Sequence, residues 1–173
     1  NIINEYKKQK LVPFGEFLPL EKILHKFGIK KITEGYGSFL KGGKQNNLII
    51  DAMNILPLIC YEIIFTELIQ RSDDNTNLII NISEDGWFGQ SIGPHQHFSK
   101  SVFRAIEQDS YLVRSANKGI SAFISPEGKI LKTLKSTESG NIDIDLPILK
   151  SKNTNMNRDL IFALLLIVYA ITF

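Results

Sequence analysis

The run from Ile55 to Cys60, Ile-Leu-Pro-Leu-Ile-Cys, contains no charged or amide side chain. A strand this apolar must be covered on both faces. Sheets covered on both faces are built by alternating strands with helices, so this one run points to an α/β chain. Its neighbours agree. Leu48 to Ile50 reads as a partner strand, joined to it by a turn near Asp51 to Asn54. Pro57 has no N–H for a ladder and counts against a fully paired central position. Glu62 to Arg71 follows without a breaker, with Ile64, Phe65, Leu68 and Ile69 at helical spacing, so a helix is expected there. Cys60 then falls where a buried strand turns into a helix.

The remaining segments extend the same alternation. Asn77 to Ile82 reads as a strand, and Ser83 to Pro94 as a loop with three glycines. Pro94 suits the first turn of a helix, where its missing N–H is no loss. That helix is expected to run to about Tyr111, with Phe98, Val102 and Ile106 on one face. Leu112 to Ser115, Ile120 to Ser125 and Lys129 to Leu134 read as strands, the last two joined by the turn Ser125-Pro126-Glu127-Gly128. Gly140 to Ile144 is a candidate for one more. Before the core, Lys10 to Leu20 holds two prolines and a glycine, which forbid a long helix. Glu21 to Phe27 reads as a short helix and Gly35 to Asn47 as a surface loop.

With 43% hydrophobic and 22% charged residues, the chain is not disordered as a whole. A net charge of +2, from scattered lysines, gives no footprint for nucleic acid. Pro147 to Asn157 is polar and reads as a linker. The apolar run Leu160 to Phe173 has 14 residues, short of the ~20 that span a bilayer. It reads either as a buried or interfacial helix or as part of a transmembrane span, and the second is the expectation. The chain opens on Asn1 with no signal peptide, and both ends read as cut from something longer.

One cysteine excludes an intrachain disulfide. A lone cysteine is often a small buried hydrophobe. At a strand-to-helix junction, however, Cys60 gains a second reading. A helix N-terminus favours the thiolate, and the Tyr61 N–H would face a developing oxyanion. The G-x-S-x-G signature of a serine elbow is absent. Glu62 suits a first helical turn, and in that position its side chain is expected to point away from the sulfur's acyl partner. Glu16, set within LVPFGEFLPL, is poorly placed for solvent and calls for a buried partner. His95 and His97, with no cysteine nearby, make a poor metal site. Trp87 and Phe88 are either a core plug or part of a pocket wall.

Four segments together resemble the bacterial apolipoprotein N-acyltransferase family: KQKLVPFGEFLPLEKIL, ICYEIIF, DGWFGQSIGPHQHF and RSANKGISAFISPEGKI, in the family's order. With Tyr6 at their head they cover most of the chain, from Tyr6 to about Ile130. The resemblance implies an α/β fold, the C-terminal half of a nitrilase-like αββα sandwich over 1–146. A linker at 147–157 and a C-terminal transmembrane segment at 158–173 follow. It implies acyl transfer from a phospholipid to the N-terminal amine of a diacylated lipoprotein, through a cysteine thioester and without a cofactor or metal. The membrane implied is the bacterial inner membrane, with the catalytic domain on its periplasmic side. Residue by residue, Cys60 matches the nucleophile, Lys8 the catalytic lysine, and Glu16 and Glu62 the supporting glutamates. Tyr61 and Trp87 match residues that contact substrate. Lys7 and Lys10 are off-register and are expected to face solvent.

Two departures from the family pattern follow. The family's general base is a glutamate upstream of the lysine, and no residue here matches it. The chain alone is therefore expected not to complete acyl transfer, and a separately encoded N-terminal half is a candidate partner. Ser83-Glu84-Asp85 stands where the family has Ser-Asn-Asp. Two other functions remain open on the sequence: a nitrilase-type amidase, and a catalytically incomplete piece of the acyltransferase.

Overall fold

The computed structural model describes residues 4–28, 38–51, 53–70, 76–147 and 158–172. Six strands form one mixed sheet in chain order: β1 (Leu48–Ile50), β2 (Met53–Ile59), β3 (Leu78–Glu84), β4 (Tyr111–Asn117), β5 (Ser121–Ile124) and β6 (Ile130–Leu134). The central pairs β2–β3 and β3–β4 are parallel, and the outer pairs are antiparallel. Pro57 pairs with Ile80 of β3 but lies beyond the end of β1, so β2 has a ladder neighbour on only one side there. That position is where a strand tolerates a missing N–H. Four helices accompany the sheet: α1 (Glu21–Leu24), α2 (Thr66–Gln70), α3 (Gly93–Glu107) and α4 (Arg158–Thr172).

Strand registry sorts the sheet into rungs. On one face Leu56, Ile79, Leu112 and Ile124 stand side by side, and the next rung is Leu58, Asn81, Arg114 and Ala122. All eight are buried, and their apolar members form the core with Phe98 and Ala105 of α3, Leu68 and Ile69 of α2, and Ile63. Fully burying one such aliphatic side chain is worth about 1.5–3 kcal/mol. The inner face of α3 carries Pro94, His97, Phe98, Ser101, Arg104 and Ala105, a stripe at helical spacing that is half polar. The opposite sheet face carries Pro57, Ile59, Leu78, Ile80, Val113 and Phe123, all only partly buried, and Ile82, which is exposed.

Three expectations are corrected. The single helix from Glu62 to Arg71 is replaced by a 3-10 turn, Cys60–Ile64, an extended Phe65, and then α2; Arg71 lies outside the described residues. The break falls at Phe65, whose extended backbone (φ −84°, ψ 102°) closes the turn, while the Glu62 carboxylate reaches back to the Ile59 N–H at 2.8 Å at its start. The long helix ends at Glu107, four residues early, because Asp109 takes a positive φ of 47° and turns the chain into β4 at Tyr111. Gly140 to Ile144 forms no strand. Lys132 of the edge strand instead donates its ammonium to the Asp143 carbonyl, a side-chain contact in place of a ladder.

Of the expected linker, 147–157, all but Pro147 lies outside the described residues. The expected transmembrane segment is a helix, α4, of 15 residues. Phe162, Leu164, Leu165, Leu166, Ile167 and Val168 along it are all more than half exposed. Among the described residues no helix is long and apolar enough to cross a membrane.

Candidate active site

Cys60 is the first residue past β2, at the C-terminal end of a parallel strand, where open α/β sheets place their ligands. It adopts φ 54°, a left-handed conformation that a side chain other than glycine, Asn or Asp rarely takes. Such strain persists only where the surroundings fix it, and it marks functional positions. The thiol is partly exposed, and its Sγ lies 3.9 Å from the Glu84 carbonyl at the end of β3. The expected α-helix dipole is replaced by the short 3-10 turn. What remains of that reading is the first-turn N–H of Tyr61, which has no intrahelical acceptor.

Glu62 is fully buried and accepts four hydrogen bonds. Its Oε1 takes the main-chain N–H of Gln9 at 2.6 Å and of Lys10 at 2.9 Å. Its Oε2 takes the N–H of Ile59 at 2.8 Å and the Tyr6 hydroxyl at 3.1 Å. One carboxylate thus joins the segment carrying Lys8 to the turn carrying Cys60. All four of these partners are groups other than the sulfur. Burial first, and then the adjacent Glu62 carboxylate, push the Tyr6 phenol well above its usual range, so it stays a neutral donor.

Lys8 is 11% exposed, and its Nζ lies 2.5 Å from Glu16 Oε1. Glu16 Oε2 accepts the Val12 N–H at 3.0 Å, and the Glu16 N–H returns to the Val12 carbonyl at 2.8 Å. The loop through Pro13 and Gly15 therefore exists in part to bring this carboxylate to the lysine, the buried partner that the sequence called for. Lys7 is exposed beside Glu5, as expected. Lys10 is half-covered, pairing with Glu67 at 2.8 Å over the Phe65 ring. Trp87 is 58% exposed on the 3-10 turn Gly86–Phe88, which excludes the core-plug reading. The Tyr61 ring centroid is 5.3 Å from that of His97 and 6.5 Å from that of Phe88.

Beneath the Cys60 turn lies a polar cluster that sequence reasoning did not assemble. Asn81, Asp85, His97 and Arg114 are all fully or almost fully buried. Arg114 donates to Asn81 Oδ1 and, at 2.7 Å, to Asp85 Oδ2. Asp85 Oδ1 also takes the Ser83 hydroxyl at 2.7 Å and faces His97 Nδ1 at 2.9 Å; Arg114 Nη2 is 3.1 Å from that same nitrogen. Burial alone would raise the Asp85 pKa, but the His97 hydrogen bond and the Arg114 charge outweigh it and hold the carboxyl at about 2. Two hydrogen bonds from this cluster reach the Cys60 turn, and both end on the Cys60 carbonyl: Asn81 Nδ2 at 3.2 Å and His97 Nε2 at 3.3 Å. The available signals were Asn81, a polar residue at an inward position of an apolar strand, and His97 on the buried stripe of α3.

Residues 1–151 match the family model for carbon-nitrogen hydrolases. The chain belongs to that family. Among curated relatives, it is 44% identical to the apolipoprotein N-acyltransferase of Rhodopseudomonas palustris over 148 residues, covering 85% of this chain and 28% of the relative. It is 43% identical to the protein of the same name from Rickettsia typhi over 145 residues, covering 83% and 28%. The chain thus spans little more than a quarter of the length of these relatives. Among solved structures it is similar to an amidase of the nitrilase superfamily from Nesterenkonia, with a TM-score of 0.57, 19% identity, and coverage of 90% of this chain and 56% of that one. That likeness establishes the carbon-nitrogen hydrolase fold for the mixed sheet and α3.

Proposed function

We propose that this chain carries the nucleophile of a lipoprotein N-acyltransferase. The observation that carries the reading is the partly exposed Cys60 thiol on a left-handed turn at the end of β2, joined through buried Glu62 to the segment that holds the Lys8–Glu16 pair. The Cys60 thiolate attacks an ester carbonyl of a phospholipid. The carbonyl oxygen becomes an oxyanion, held by the Lys8 ammonium and the Tyr61 N–H, and collapse expels the lysophospholipid alkoxide, which takes up a proton. The acyl chain stays on sulfur as a thioester. The free N-terminal amine of a diacylated lipoprotein then attacks it, forms the amide, loses its extra proton and releases the thiolate. The resemblance puts the base for these protons upstream of Lys8. Glu16 holds the Lys8 ammonium in place, Glu62 ties the two segments together, and Tyr61 and Trp87 line the acyl path.

Names among relatives at 39–44% identity favour lipoprotein N-acylation over amide hydrolysis, which the far more distant amidase supports only through its fold. The half-buried apolar sheet face opposite α3 suits a second sheet, so residues 1–146 serve as one layer pair of a sandwich. Exposed and apolar, α4 suits insertion into the bilayer. The resemblance implies a site at the inner membrane, on its periplasmic side, and an apolar α4 is consistent with membrane contact.

Intact-protein mass spectrometry after incubation with phospholipid in detergent tests the reading. With the upstream part that supplies the base present, an acyl adduct on Cys60 that transfers to a diacylated peptide is expected; the 173-residue chain alone is expected not to complete the transfer. A protein that never takes up acyl from phospholipid, yet releases ammonia from small amides, would favour the amidase.

A further inference from the structure

The polar cluster under the nucleophile turn has a geometric consequence for the oxyanion. A trans peptide is planar, and its C=O and N–H point in opposite directions. The Cys60 carbonyl belongs to the same plane as the Tyr61 N–H. That carbonyl is held from beneath by two donors, Asn81 Nδ2 at 3.2 Å and His97 Nε2 at 3.3 Å. Anchoring it into the interior fixes the Tyr61 N–H toward the opposite side, where the sulfur's acyl partner arrives. The strain at Cys60 makes the anchoring necessary: at φ 54° the turn is not the conformation the residue would choose unaided.

We propose that His97 is a positioning residue that aims the Tyr61 N–H at the oxyanion by gripping the Cys60 carbonyl. Asp85 and Arg114 hold the ring in that orientation. Its contacts with the Cys60 turn are the hydrogen bond to the Cys60 carbonyl and the packing against the Tyr61 ring, so its influence on the oxyanion runs through the Cys60–Tyr61 unit. An acceptor at 3.3 Å requires a proton on Nε2. In the neutral ring this makes Nδ1 the acceptor for Arg114 Nη2, 3.1 Å away; donation from Nδ1 to Asp85 at the same time needs the doubly protonated ring. The ring is also boxed by Tyr61 and by Phe88, whose centroid is 5.8 Å away, so it cannot swing clear of the carbonyl without displacing both. The inference rests on Cys60 being the acyl-accepting thiol, and it adds a second determinant of rate that does not change the nucleophile.

Two reactions of the same thiol separate this role from a general structural one. Acylation by p-nitrophenyl octanoate passes through a tetrahedral oxyanion: the thiolate adds to the ester carbonyl and p-nitrophenolate leaves. Alkylation by iodoacetamide displaces iodide at carbon and forms no oxyanion. In the protein in detergent, His97→Phe keeps the ring packing and the Asp85–Arg114 pair but removes both ring hydrogen bonds. Its maximal acylation rate is expected to fall by roughly 10–100-fold, part of the ~10²–10³-fold that a lost oxyanion donor costs. The ester concentration for half-saturation and the iodoacetamide rate stay within about twofold, because a donor used only at the transition state changes neither ground-state binding nor thiolate supply. His97→Gln, whose amide nitrogen can occupy the Nε2 position, restores most of the loss. Equal losses in both reactions, or acylation by His97→Phe at the unsubstituted rate, would overturn the inference while leaving Cys60 the nucleophile. An unsubstituted protein that is alkylated on Cys60 but never acylated there would overturn the nucleophile reading, and this inference with it.

Discussion

Replacing Glu62 with glutamine changes one atom and tests the joint between the two halves of the site. The carboxylate accepts from Gln9 and Lys10 on one oxygen and from Ile59 and Tyr6 on the other. A glutamine fits best with its carbonyl oxygen toward Gln9 and Lys10, since the reverse orientation sets its NH2 against two main-chain donors. The NH2 then faces Ile59 and Tyr6. The Tyr6 hydroxyl can rotate and accept, but the Ile59 N–H cannot, and it is left buried without an acceptor. An unsatisfied buried donor costs about 1–3 kcal/mol. The two bonds that survive change from charge-assisted to neutral, and each loses about 1 kcal/mol. The sum is a loss of about 3–5 kcal/mol, a large share of the ~5–15 kcal/mol that holds a domain together. Urea unfolding followed by far-ultraviolet circular dichroism measures it. Hydrogen exchange locates it, with the amides of Gln9, Lys10 and Ile59 losing protection together. Glu62→Gln within about 1 kcal/mol of the unsubstituted protein, with those amides still protected, would refute the view that this carboxylate ties the Lys8 segment to the Cys60 turn.

Other substitutions and conditions test separate parts of the site. Lys8→Gln is expected to slow Cys60 acylation by about 10²-fold through loss of the oxyanion charge, while Lys10→Gln, which breaks a half-exposed pair with Glu67, changes it less than about threefold; similar losses in both would show that Lys8 has no special place. The Asp85 carboxyl titrates lower in the folded protein, near 2 against an ordinary 3.8, so its stabilising contribution of about 2 kcal/mol is in full force above pH ~4 and drains away as pH falls through ~2. Acid unfolding of Asp85→Asn should lack that step, and an unchanged acid limb would count against the pairing with Arg114 and His97. Removing α4 should weaken retention on phospholipid vesicles while leaving the far-ultraviolet spectrum of the sheet intact; equal retention with and without it would place membrane contact elsewhere.

Much of the fold was legible because the core runs are long and their flanks clear. β2 announced itself by its uninterrupted apolar run, and α3 by Pro94 and the spacing of Phe98 and Val102. The errors share one origin, since side chains overrode local pattern. Ile64, Phe65, Leu68 and Ile69 have helical spacing, yet Phe65 takes an extended backbone and the helix stops after one turn, in a segment where the buried Glu62 carboxylate is bound to Gln9, Lys10 and Tyr6. Periodicity carries no information about a hydrogen bond to residues 53 positions away. At the candidate site, Cys60, Glu16 and Glu62 stood out from their surroundings and Lys8 through the resemblance, and the Lys8–Glu16 ion pair supplies the partner that the apolar setting of Glu16 called for. The cluster of Asn81, Asp85, His97 and Arg114 was missed because its members come from three elements and meet only when the strand rungs align.

That cluster is also where the fold departs from what stability alone would select. The rung of Leu56, Ile79, Leu112 and Ile124 is apolar from β2 to β5, and its neighbour toward the C-terminal strand ends could have been built the same way. Instead Asn81 and Arg114 occupy that rung's centre, and Asp85 must be buried to answer the guanidinium. A buried ion pair roughly offsets its own desolvation at best, and apolar replacements of equal volume are often neutral or stabilising. Removing one partner is a different matter, because a lone buried charge costs about 3–5 kcal/mol. The network is therefore held together by mutual dependence more than by net stabilisation of the sheet. What the apolar alternative could not supply is a pair of donors at the end of β2, directly under the Cys60 carbonyl. A valine or leucine rung would remove Asn81 from that carbonyl and Arg114 from beside the His97 ring, leaving His97 as the remaining donor to it. The polar rung is placed at the one height in the sheet where a donor reaches the nucleophile's peptide, so its cost to the core and its use at the site have the same structural origin.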